Sequence, residues 1–217
     1  MTKVIQIPMF KLEQFSKATE LTKQRIIKDL FSNYKPQSRH VKAKNCISNF
    51  LTNQFDTSCI DQGLNYIKNK LYVDDWEKEN SIKTLQNFKK TRFPFNEDLI
   101  FKKNEIKKDI EINGLSIYVI PELIIKEVRN GITYLGAVKI NISKSTQDKI
   151  DYDFCRTIVF EFLKSIAKDG ELVDFKMIYF YTPLNNKWNN SNSMIHTQII
   201  ENTIDEFFIY LHKLNAA

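Results

Sequence analysis

Glu122 and Lys139 are the two residues of this chain best placed to do charged chemistry. Each is set in an apolar run, IPELIIKEV around the first and GAVKIN around the second. A carboxylate and an ammonium within reach of each other in an otherwise apolar sheet can hold or neutralise a charged ligand. The plain alternative is that Lys139 carries its ammonium to solvent over an apolar stem. Which of these holds depends on the strands that carry the two residues.

The stretch 110–142 reads as three consecutive strands. Asn113-Gly114 and Asn130-Gly131 suit the positive backbone angles of tight hairpin turns, and the flanking runs are rich in Ile, Val, Leu and Tyr. The sequence therefore predicts an antiparallel meander. Pro121 removes a ladder donor from its middle strand, which fits a sheet edge or a bulge. On the third strand Ala137, Lys139 and Asn141 share one face, while Val138, Ile140 and Ile142 share the other. That register brings Lys139 within reach of Glu122.

A Pro-acid pair on one strand followed by a lysine on the next resembles the PD-(D/E)XK nuclease superfamily, in particular its RecB-like branch. The resemblance implies a hydrolase that cleaves phosphodiesters with Mg²⁺ or Mn²⁺. Two carboxylates would hold the ion against the scissile phosphate, and the lysine would orient or activate the attacking water. Glu122 takes the place of the family's aspartate and Lys139 that of its lysine. The position two before the lysine, an acid in the family, is Ala137. A carboxylate relocated to the following helix would restore a second ligand, with Glu161 the first candidate and Asp151 or Asp153 behind it. Glu111, on the first strand, is a further one. The other reading is that metal binding has been lost and the fold persists as a binding module.

The order of elements extends the resemblance over about half of the chain. Asp151 to Ala167 has Tyr152, Cys155, Ile158, Val159, Phe162, Leu163 and Ile166 on one helical stripe. Asp169-Gly170 breaks the chain, Phe175 to Tyr181 reads as a strand, and Gln198 to Leu214 reads as a final helix. Between the two, Asn185 to Ser193, with Trp188, reads as an exposed loop. Strand, strand, strand, helix, strand, helix is the superfamily's core order. It implies DNA as the partner, in prokaryotic DNA processing or defence against foreign DNA. A scaffold or adaptor subunit that binds a protein partner is the competing expectation.

Composition sets the frame for these readings. The 217 residues, 42% hydrophobic and 27% charged, are enough for a substantial core. No apolar run reaches membrane-spanning length, and Met1 to Phe10 lacks a signal-peptide core, so the expectation is a cytoplasmic protein without a membrane partner. Cys46, Cys59 and Cys155, like His40, His196 and His212, are too scattered for a zinc site. Charge is unevenly spread. Residues 1–92 hold 17 Lys and Arg against 9 Asp and Glu, whereas residues 93–217 hold 15 against 17. A basic N-terminal half is what a nucleic-acid surface requires, although a solvated helix face has the same composition.

From Phe10 to Lys90 the apolar spacing is helical, broken near Thr22 and before Pro36, with Ser38, Asp56 and Asp74 or Asp75 as helix-starting residues. Lys23, Arg25, Lys28, Lys35, Arg39, Lys42 and Lys44 form its densest basic run, which would track a phosphate backbone. The expected architecture is α/β. A helical basic module, 1–92, precedes a PD-(D/E)XK-like mixed sheet flanked by helices, 93–217.

Overall fold

The computed structural model describes residues 5–31, 40–70, 75–95, 98–142, 150–190 and 196–215. After a short strand β1 (Gln6–Pro8), the N-terminal half forms the helices α1 (Met9–Ser16), α2 (Glu20–Phe31), α3 (Val41–Thr52), α4 (Ser58–Asn69) and α5 (Asp75–Phe88). Ser38 and Asp74 lie outside the described residues. Asp56 acts at the start of α4, where its carboxylate accepts from the Ser58 amide at 2.9 Å.

The strands that follow are β2 (Ile100–Lys103), β3 (Ile110–Ile112), β4 (Leu115–Tyr118), β5 (Leu123–Arg129) and β6 (Ile132–Ile140). Both Asn-Gly turns form as their sequence requires, with φ of 47° and 77° at Asn113 and Gly114 and 51° and 78° at Asn130 and Gly131. The predicted meander is nevertheless divided. Its middle strand breaks at Pro121 into β4 and β5, and these belong to different sheets. The β3–β4 hairpin joins β1 in a three-stranded sheet, with β1 parallel to β4. The β5–β6 hairpin is the centre of a five-stranded sheet whose first strand is β2, a segment not anticipated from sequence.

Helix α6 (Tyr152–Ile166) carries the chain from β6 to the parallel strand β7 (Glu171–Thr182). Asp151 caps α6 by accepting from the amides of Asp153 and Phe154 at 3.1 Å each. A 3-10 turn at Pro183–Asn185 leads into β8 (Lys187–Asn189), antiparallel to β7, and α7 (Thr197–Asn215) follows. The segment expected to be an exposed loop therefore contains a strand. Trp188 is packed on Tyr181, with ring centroids 4.6 Å apart, rather than displayed.

Strand alternation divides the core into two layers. Ile124, Leu135, Ala137, Ile178 and Phe180 face a cluster built by α1, α2, α6 and α7 together with the small sheet. Leu123, Ile125, Val138, Ile140, Tyr179 and Tyr181 face a second cluster built by α3, α4 and α5. The N-terminal helices are thus distributed over both faces of the large sheet. The fold is mixed α/β. Among the described residues no helix is long and apolar enough to cross a membrane.

Candidate anion-binding site at the start of strand β5

Pro121 lies where the chain leaves the small sheet for the large one, so its missing N–H disrupts no ladder. The next residue, Glu122, enters the large sheet: its amide donates to the Val138 carbonyl at 2.9 Å, and its carbonyl accepts from the Asn104 amide at 3.2 Å. Its side chain turns back across β6, where Oε2 accepts the Ile140 amide at 2.7 Å. Glu122 and Lys139 meet. Lys139 Nζ donates to Glu122 Oε1 at 3.1 Å and to the Ile120 carbonyl at 2.6 Å.

A second ammonium arrives from the opposite layer. Lys44 Nζ, on α3, donates to the same Glu122 Oε1 at 2.8 Å. Helix α3 is fixed there by its buried stripe of Ala43, Cys46, Ile47, Phe50 and Leu51. Its start is pinned to α5: the His40 amide donates to Glu77 Oε1 at 2.9 Å, and His40 Nδ1 lies 2.9 Å from Ser81 Oγ. Nothing local in the sequence announced Lys44, because its partner is distant in the chain. From sequence alone it belongs with the basic run expected to track a phosphate backbone.

Burial raises the pKa of the Glu122 carboxyl, but the ammoniums of Lys139 and Lys44, with the hydrogen bonds from Lys44 and Ile140, outweigh it and hold the group below its ordinary range. Lys139 goes down, because burial and the Lys44 charge outweigh the attraction of Glu122. The cluster lies in a cavity of about 550 Å³. Its walls are Pro8–Phe10 on one side, His40, Val41, Lys44 and Asn45 on another, and Tyr118–Ile120 with Ile140–Ile142 around the base.

The carboxylates expected to complete a metal site are elsewhere. Ala137 is fully buried in the core, opposite Ile124. Glu161 does not join Glu122: its carboxylate pairs with Lys164 on the same helix at 3.0 Å, and it is not among the cavity's lining residues. Asp151 is engaged as the α6 cap and Asp153 pairs with Arg156, while Glu111 is exposed on the small sheet. Among the described residues no three His, Cys, Asp or Glu side chains converge. Glu122 alone, with both oxygens already accepting from cations or an amide, is a poor fit to Mg²⁺ or Mn²⁺, which are normally held by one or two available carboxylates with substrate oxygens.

The basic run is divided as well. Lys23 is buried, its Nζ 2.5 Å from Glu206 Oε1, so it ties α2 to α7 instead of facing a phosphate. Arg25 and Lys28 are exposed on α2, in the first layer, whereas Lys42 is exposed on α3, in the second, 4.4 Å over the Tyr66 ring. Arg39 and Lys35 lie outside the described residues. Sequence reasoning also passed over Arg156, a charged residue inside the apolar stripe of α6. It is buried and donates to the carbonyls of Ile178 and Asn189 at 3.1 and 3.2 Å, which locks α6 to β7 and β8. No family model matches the sequence, and no curated protein matches it.

Proposed function

We propose that this chain is a divergent PD-(D/E)XK-like protein that binds DNA, holding phosphate at the Lys44–Glu122–Lys139 cluster without a catalytic divalent ion. Support for the ancestry comes from the sheet, where β2, β5 and β6 run antiparallel in order and α6 then leads to a parallel β7. The contact of Glu122, after Pro121, with Lys139 on the next strand is consistent with the motif. The observation that carries the reading is the convergence of two ammoniums on one carboxylate oxygen. It leaves the cluster with one net positive charge, which attracts a phosphate and repels a cation.

The test is equilibrium DNA binding across salt concentrations, with cleavage followed in parallel. Affinity is expected to fall with salt, and each phosphate contact removed lowers the slope of log affinity against log salt by about 0.7 to 0.9. Lys42→Met with Lys44→Met should reduce that slope. An unchanged slope would remove α3 from the interface. No cleavage is expected with Mg²⁺ or Mn²⁺, and cleavage that disappears in Glu122→Gln would overturn the metal-free assignment.

A protein-binding adaptor is the second reading, and one observation favours it. At the β5–β6 turn end of the large sheet Ile132 and Leu172, 40% and 49% exposed, share the face that carries the α3–α5 layer, whereas Val128 is on the other face. Ile132→Ser with Leu172→Ser separates the two readings, since it should leave DNA binding intact and abolish capture of a protein partner.

A further inference from the structure

Resting on the DNA-binding reading, we infer that the cavity at the start of β5 recognises a terminal phosphate monoester, at a strand end or on a free nucleotide, and does so without metal. A lysine ammonium has three N–H donors. Lys139 directs two of them to Ile120 and Glu122, and Lys44 directs one to Glu122. Among the described residues three donors remain unassigned, two on Lys44 and one on Lys139. A phosphate monoester offers three acceptor oxygens and up to two negative charges, whereas a diester within a strand offers two unesterified oxygens and one charge. The three unassigned donors match the three free oxygens of the monoester, and the net positive charge of the cluster attracts its phosphate.

Shape points the same way. The cavity is bounded by the β1–α1 junction, the first turn of α3 and the β4–β5 crossing. Its volume of about 550 Å³ falls within the roughly 300 to 1,000 Å³ of small-ligand sites. Met9, Phe10, Val41, Tyr118 and Val119 give it an apolar wall against which a nucleoside can rest. A recess bounded by these three elements accepts a chain end more readily than a backbone that must continue in both directions. Glu122 sets the spacing of the two ammoniums, so it is a positioning residue here.

Fluorescence anisotropy of the full chain in EDTA tests the assignment, with one oligonucleotide sequence carrying a 5′-phosphate, a 3′-phosphate or no terminal phosphate. Calorimetry with thymidine 5′-monophosphate and thymidine runs alongside. One terminal phosphate should tighten binding roughly tenfold or more, as charge-assisted hydrogen bonds allow. Lys44→Met should erase that preference, and Lys83→Met, an exposed charge on α5, should retain it. Thymidine 5′-monophosphate binding as tightly as the oligonucleotide assigns the pocket to free nucleotides, and weaker binding assigns it to strand ends. Equal affinity for phosphorylated and unphosphorylated probes overturns the proposal, as does a preference that requires Mg²⁺ or survives Lys44→Met. DNA bound without end preference would leave the DNA-binding reading standing and remove this one. Binding of the mononucleotide without DNA would do the reverse.

Discussion

Glu122→Gln is expected to lower the free energy of unfolding by about 3 kcal/mol at neutral pH, the cost of removing one member of a buried ion cluster. Glutamine preserves the shape and an acceptor for the Ile140 amide, but it leaves two ammoniums with no counter-charge. Lys139 is the more exposed to this loss, because its Nζ stays committed to the Ile120 carbonyl at 2.6 Å and burial already disfavours its charge. Lys44→Met should cost less, since Lys139 and Glu122 still pair. The sign of the pH dependence follows from Glu122. Its folded pKa lies below the ordinary 4.5, so the stability it carries is fully present above that value and is lost as pH falls through the depressed one. Denaturant midpoints of the wild type and Glu122→Gln should therefore converge in acid. Superimposable curves at neutral pH would mean that the lysines do not depend on this carboxylate.

What could be read from the sequence was local. The two Asn-Gly turns need only their own backbone angles, and the apolar stripe and Asp151 cap of α6 repeat within one or two turns. Residue alternation on β6 likewise placed Lys139 on a definite face. The destination of each strand was not local. β4 and β5 both look like halves of one long strand, and only the pairing of β4 with β1 and of β5 with β2 separates them. Lys44 escaped for the same reason, because a surface-like lysine on an amphipathic helix has the same sequence signature whether or not it meets a buried carboxylate. Trp188 sat in an asparagine-rich stretch that has the composition of a loop, and its burial depends on aromatic partners drawn from β7 and α5's layer.

Gly136→Ala is expected to destabilise the fold by about 3 kcal/mol or more, at the upper end of the usual penalty for overpacking. Gly136 lies on β6 where its pairing with β7 shifts register, between Leu135 opposite Val173 and Ala137 opposite Ile178. A Cβ at Gly136 would stand 2.4 Å from both the Cβ and the carbonyl oxygen of Met177. Met177 is buried in the second core layer, and the ladder resumes at the next residue, so neither strand has free space into which to retreat. The requirement is steric and differs from that at Gly131, which has nothing within 4 Å and is needed for its φ of 78°. Shortening Met177 to alanine in the Gly136→Ala background should give no rescue, because the offending Cβ and carbonyl both remain. The consequence reaches the site: Lys139 follows on the same strand, opposite Phe180, and a β6 pushed away from β7 would carry its ammonium off Glu122. Loss of phosphate binding should therefore accompany the loss of stability in Gly136→Ala. A variant that melts within about 0.5 kcal/mol of wild type would show that the β7 bulge relaxes around the added methyl, and that the close approach of the strands does not set the position of Lys139.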